Sequence, residues 1–364
     1  MKKLFFFVVM LTGTSFTMQS QTVRYVDNNP SAPTNAGFNY TTVQAAIDAS
    51  VAGDIIYIQP SPNSYGDIQM NKRIILYGIA HNPELNAGQT ATVSNILFRY
   101  GDASGSKISG LVINGIYLDN GTYQNNNVII TNNRIATIQG NSRVDRANQA
   151  VISGNFFYSG SSVAVDNYNS QDWLITNNTF SRPNSYWGYS LFQRMNNTTF
   201  LNNNIILSRQ NGDGSARVQL FTTCNGTQIK NNIFVFVGTS VADFTSLGSN
   251  SSLFFQNNLT YAPSSSLNPL GGSNIDDQDP LFVSFNSATE LNNRNNDLHL
   301  QGGSPGAGAG TDGFDLGLYN GTFPYSIPGY PTELPYLTDF VINNNILSEG
   351  TDLNINVKAN ANTN

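Results

Sequence analysis

Few residues of this 364-residue chain are equipped for chemistry, because only 11% of it is charged. Arg143, Asp145, Arg146, Asp166 and Arg194 stand out against that background. Counted back from the asparagines that close a recurring motif, Arg143 and Asp166 each lie 12 positions before theirs (Asn155 and Asn178), and Asp145 and Arg194 each lie 10 before theirs (Asn155 and Asn204). Equal offsets in a repeat give similar angular positions on successive units. The spacing therefore predicts that Arg143, Asp145, Asp166 and Arg194 share one outward face. Guanidinium forks beside carboxylates suit an acidic or hydroxyl-rich polymer, and a carboxylate there could hold Ca²⁺. The plainer alternative is scattered charge on a solvated face. Ser185-Tyr-Trp-Gly-Tyr189 adds Trp187 and Tyr189, whose rings would stack on sugars from a loop or fold back as packing.

The other reactive groups are sparse. Cys224 is the single cysteine, so no internal disulfide is available. The two histidines, His81 and His299, are distant in sequence, and the cysteine reads as a buried small hydrophobe. Asp276, Asp277 and Asp279, like Asp312 and Asp315, lack the alternating oxygen ligands of a calcium loop and read as turn formers. No cofactor is called for; Ca²⁺ is the one candidate ion.

Those groups need a scaffold, and repetition supplies it. Ile108-Ser-Gly-Leu111, Ile130-Thr-Asn-Asn133, Ile152-Ser-Gly-Asn155, Ile175-Thr-Asn-Asn178, Leu201-Asn-Asn-Asn204, Ile229-Lys-Asn-Asn232 and Phe255-Gln-Asn-Asn258 form one column, with successive spacings of 22, 22, 23, 26, 28 and 26 residues. The lengthening fits loops inserted on one side. Strand-type alternation of β-branched and aromatic residues excludes a leucine-rich frame and predicts an all-β, single-stranded, right-handed parallel β-helix over about residues 51–302. Ile130, Ile152, Ile175, Leu201, Ile229 and Phe255 would form an inward ladder. Asn133, Asn155, Asn178, Asn204, Asn232 and Asn258 would sit at a bend where backbone φ turns positive, bonded along the stack. Val43, Ala46 and Ile47 fall on one face of a short helix, N-capped by Thr41 or Thr42, that covers the end of the stack.

The N-terminus runs Met1-Lys-Lys, then apolar Leu4 to Leu11, then small and polar residues, which predicts a signal peptide over 1–21 cleaved near Ser20 or Gln21. The domain expected next is 22–320. Residues 321–364 read as a Pro-rich linker and a small β-hairpin tail. No later segment is apolar over 18 residues, so no membrane span is expected in the mature chain, which would be secreted, periplasmic or on the cell surface. A net charge of −6 without basic clusters excludes nucleic acid, and 22 Phe and 17 Tyr exclude a disordered chain. A monomer is expected.

Thr41-Thr-Val-Gln-Ala-Ala-Ile-Asp resembles the N-terminal cap of pectin-lyase-like right-handed β-helices. Asp279-Pro-Leu-Phe282, Leu298-His-Leu-Gln301, Gly303-Ser-Pro-Gly-Ala-Gly-Ala-Gly310 and Thr311-Asp-Gly-Phe-Asp-Leu-Gly-Leu-Tyr319 resemble the closing region of secreted Bacteroidetes-type members. The resemblance covers about residues 23–320 and implies the fold, with lyases, esterases, hydrolases, adhesins and fibres all within that superfamily. The Gly-Thr-Val-Asp-Phe of methylesterases and the Asn-Thr-Asp and Gly-His-Gly of polygalacturonases are absent. The expectation is a protein that binds a polysaccharide, as a glycan binder or as a lyase or hydrolase on an acidic one. The alternative is a non-catalytic structural or adhesin-like surface protein.

Overall fold

A computed structural model describes residues 21–30, 32, 39–118, 123–140, 147–158, 163–168, 170–182, 190–209, 218–238, 242–243, 250–263, 267–285, 295–342, 352 and 354–360. They form an all-β parallel solenoid. Its first sheet takes one short strand from each coil: Val23–Val26, Ile55–Ile58, Ile75–Tyr77, Lys107–Ser109, Ile129–Thr131, Val151–Ser153, Leu174–Thr176, Thr199–Leu201, Gln228–Lys230 and Phe254–Gln256. Every neighbouring pair is parallel, with Ile130↔Ile152↔Ile175 in register. Stacking starts earlier than the expected residue 51, because Val23–Val26 already pairs with Ile55–Ile58. It also stops before 302. The last parallel bridge joins Leu259 to Ile275, and Phe282–Ser284 then pairs antiparallel with Asp297–Leu300.

The central residue of each strand points inward, and the column Ile56, Leu76, Ile108, Ile130, Ile152, Ile175, Phe200, Ile229 is fully buried. Phe200 takes the place expected for Leu201, which faces out in register with Thr176 and Lys230. A slip of one residue exchanges the two faces of a strand. The run of three asparagines at 202–204 hides that slip in the sequence. The same shift moves the asparagine ladder from Asn204 to Asn203. Asn133, Asn155, Asn178, Asn203, Asn232 and Asn258 are all fully buried; from Asn155 on, each accepts with its side-chain oxygen from the backbone N–H and side-chain amide of the one before, as Asn178 does from Asn155 at 2.9 and 3.0 Å, and Asn133 accepts from Leu111 N–H at 3.0 Å. Positive φ falls one residue earlier than expected, on Asn132, Asn177, Asn202, Asn231 and Asn257, at 51–57°. Two adjacent positions thus divide the work: the first makes the bend and the second satisfies it.

The cap forms as expected. Helix Val43–Asp48 is N-capped by Thr42, whose hydroxyl accepts from Ala45 N–H at 3.2 Å, and it buries Val43, Ala46 and Ile47 over the first coils. At its other end Lys72 donates to the carbonyls of Ile47 and Ser50 at 3.1 and 3.0 Å, the favoured sign of charge for a helix C-terminus.

The second sheet explains the lengthening period. In coil 134–139 one unbroken strand carries both Ile135 and Ile138, three residues apart. In later coils the same two register positions are Phe157 and Val165, then Phe180 and Phe192, then Ile205 and Phe221. The interval grows from 3 to 8, 12 and 16 residues, so successive insertions leave the solenoid at one angular position. Phenylalanines fill the core of these wider coils: Phe157, Phe180, Phe192, Phe200 and Phe221 are fully buried, with neighbouring ring centroids 4.4–5.7 Å apart. Pairs in that range add to the gain from apolar burial.

After Leu300 the chain returns along the outside of the asparagine corner. Asn257 donates to Ala309 O at 2.8 Å, Thr311 N–H to Asn231 Oδ1 at 2.9 Å, and Asn177 to Leu318 O at 2.7 Å. Further back toward the first coils, Glu333 pairs with Lys107 and Asn82 N–H reaches Pro328 O at 3.3 Å. The stretch read as a Pro-rich linker is therefore docked on the solenoid up to residue 335. Gly329 packs at φ +71° where a Cβ would fall 1.9 Å from the His81 ring, so glycine is required there. Tyr336–Ile342 then pairs antiparallel with Ile355–Asn360.

Candidate functional site

The outer face of the second sheet carries the row Leu97, Tyr117, Gln139, Asp166, Gln193, Thr222, one residue per coil. It lies directly beside the position where the insertions leave. Asp166 closes the short strand Val165–Asp166 and is buried. Arg194 follows Gln193 at φ +53°, a bend that brings its guanidinium back over the preceding coil. Its Nε donates to Asp166 Oδ1 at 2.8 Å and its Nη2 bonds Oδ2, a two-point fork. The guanidinium carbon lies 3.7 Å from the centroid of Tyr168. Asp166 Oδ1 also accepts from Tyr168 N–H at 3.1 Å. The three residues form one charge-neutralised unit, with about a third of the Arg194 side chain (32%) open to solvent.

Asp166 and Arg194, picked out by spacing, are thus in contact. The reason differs from equal offsets: Asp166 stacks on Gln139 and under Gln193, and Arg194 reaches it from one position further on. Arg143, Asp145, Arg146, Trp187 and Tyr189 lie outside the described residues. Sequence reasoning missed Tyr168, for which it held no signal. It also missed Tyr25, Tyr57 and Tyr77, each the third residue of its strand and each in register with the next, a signal that was present. Burial first, and then the neighbouring Glu333, hold the Tyr77 phenol above its ordinary range; burial and the adjoining Tyr25 do the same for Tyr57.

The acidic turns spend their oxygens on backbone. Asp276 accepts from Leu270 and Gly271 N–H, both at 2.8 Å, Asp315 from Gly308 N–H at 2.9 Å and Asp312 from Phe314 N–H at 3.2 Å. Among the described residues no group of three His, Cys, Asp or Glu side chains is placed to hold a metal ion. Nor is any helix there long and apolar enough to cross a membrane. His299 bonds Asp297 at 2.6 Å and lies flat on Tyr319, while His81 stacks on Phe156 and meets Tyr325 at a tilt. Cys224 is fully buried, and burial pushes its thiol up to about 11. The thiol is then protonated at pH 8 as well as out of reach. An aromatic disulfide reagent is accordingly expected to leave the folded protein unlabelled and to release one equivalent of chromophore once it is unfolded.

No protein-family model matches the chain, and no curated protein matches it. What architecture and surface define is a class: a parallel β-solenoid with a polar row along one sheet, a line of insertions beside that row, and an asparagine-braced corner sealed by the returning chain.

Proposed function

We propose that this is an exported glycan-binding protein, a right-handed β-helix of the pectin-lyase-like kind, that takes an acidic or hydroxyl-rich polysaccharide along the polar row of the second sheet. The observation that carries this reading is the alignment of three lengthening insertions beside Gln139, Asp166, Gln193 and Thr222. Insertions gathered on one side of a repeat protein are where binding surfaces are built. Amides and a hydroxyl in a row match sugar hydroxyls, and the open edge of Arg194 suits a carboxylate. The signal-like N-terminus supports export with cleavage near Ser20 or Gln21, and right-handed crossovers are the rule between parallel strands. Binding is proposed to be independent of added metal and to be carried by the monomer.

Affinity electrophoresis of the mature protein through gels containing single polysaccharides tests this. An acidic polymer is expected to retard it, equally with and without EDTA, and Trp187→Ala and Gln193→Ala are each expected to weaken retardation about tenfold. Release of unsaturated or reducing ends from the same polymers would add catalysis to binding. Free migration through every polymer would refute the reading and leave the rod-like, adhesin-type alternative, which the closed Asp166–Arg194 pair favours.

A further inference from the structure

A different face of the solenoid carries a cleft remote from the polar row. Tyr25, Tyr57 and Tyr77 hold one register position on three successive strands of the first sheet. Their rings stack with centroids 5.6 and 5.7 Å apart and planes 19° and 26° from parallel. Beyond Tyr77 that position passes to Ser109, Thr131 and Ser153, which are buried. The returning chain reaches the tyrosines at Tyr330 and leaves a cleft of about 410 Å³ between itself and the sheet. Tyr57, Tyr77 and Tyr330 line it with several prolines, and Gln59, Asn86 and Gln89 supply its side-chain amides.

Three properties restrict what it can hold. The volume falls within the roughly 300–1,000 Å³ of small-ligand sites. Among the described residues no charged side chain lines it, and Glu333, beside the Tyr77 hydroxyl, is paired with Lys107, so an ionic ligand would lose hydration without a free counter-charge. Its amides are largely unspent: Asn86 donates to Gln89 O at 3.1 Å, whereas the side-chain amides of Gln59 and Gln89 make no hydrogen bond among the described residues. An amide is both donor and acceptor, as is a sugar hydroxyl. With the tyrosine rings stacked on one another, their edges and the prolines form the apolar wall against which the C–H groups of a pyranose ring can pack. A peptide adding a strand would need a sheet edge, and this cleft opens on a sheet face. A proline-rich helix would bring few N–H groups to meet the amide oxygens.

We propose that this cleft is a second binding site, specific for an uncharged saccharide of one or two rings and separate from the polar row. Saturation-transfer NMR on the full mature chain tests it, with maltose, cellobiose, xylobiose and mannobiose as neutral probes, digalacturonate as the acidic probe and decaproline as the peptide. At least one neutral disaccharide is expected to bind with a Kd near ~1 mM. Tyr57→Ala should abolish transfer to it. Gln59→Ala with Gln89→Ala, changes to side chains that brace nothing in the fold, should weaken it about tenfold while thermal melting stays unchanged. Trp187→Ala should leave it intact, which separates this site from the polar row. Absence of transfer to every neutral probe at ~10 mM would overturn the proposal. So would binding unaffected by the paired glutamine variant, or decaproline binding where the sugars do not.

Discussion

Asn178→Leu is expected to destabilise the protein by about 4 kcal/mol and to lower its melting temperature by about 6 °C. The side chain is fully buried at the corner between the sheets. Its amide donates to Ile152 O and Thr176 O at 2.9 Å and to Asn203 Oδ1 at 3.0 Å. Its oxygen accepts from the backbone N–H and the side chain of Asn155. Leucine keeps the branched outline but is bulkier and not planar, so overpacking adds to the loss, and three backbone groups on two coils lose their partners where water does not reach. Each such group costs about 1–3 kcal/mol. Coils contact only their neighbours, so the loss should spread from the middle of the stack and broaden the unfolding transition. Asn177→Gly is the matched control. It relieves φ +55° and leaves the ladder whole, but it removes the bonds to Leu318 O and Asn320 O that hold the returning chain. Its loss should be smaller and confined to that chain, seen as faster proteolysis near 318–335. Identical melting of Asn178→Leu and the wild type would refute the ladder's role.

How much of this was legible in advance depended on whether the signal repeated. The solenoid, its cap and the asparagine corner were readable because each coil restates the same short pattern, and a helix face such as Val43, Ala46, Ile47 needs only local spacing. Register at residues 201–204 was not, since three identical asparagines offer three equivalent alignments and only packing of Phe200 into the core selects one. The insertions were visible as a longer period, but where they leave the coil was set by pairing between strands. The returning chain was readable only by resemblance, as a closing region up to residue 319, and its path was not. Residues 303–335 have neither strand nor helix periodicity, and they are held by contacts such as Asn177 to Leu318 and Lys107 to Glu333 that link distant parts of the chain. For the site, spacing found Asp166 and Arg194 but gave the wrong cause for their meeting, because coils of unequal length do not preserve an offset.

Arg194→Ala is expected to cost about 3 kcal/mol, more than most surface substitutions, because it strands the buried Asp166 carboxylate. Asp166 would keep only the Tyr168 N–H among the partners it has now. Asp166→Ala should cost less, about 1 kcal/mol, since the Arg194 side chain is a third exposed and can return to water. The double variant should then be no less stable than Arg194→Ala alone, a coupling of about 1 kcal/mol in a double-mutant cycle. Arg194→Lys keeps the charge but loses the fork and the flat stacking on Tyr168, and should fall between. Urea unfolding of the wild type and these four variants gives the values directly. A small cost for Arg194→Ala with no coupling would mean that the fold does not need the pair. The guanidinium would then be free to exchange Asp166 for an incoming carboxylate, and the polar row would gain its anion-binding centre. A large coupling instead makes the pair a clamp across two coils, so that recognition falls to Gln139, Gln193 and the insertions beside them.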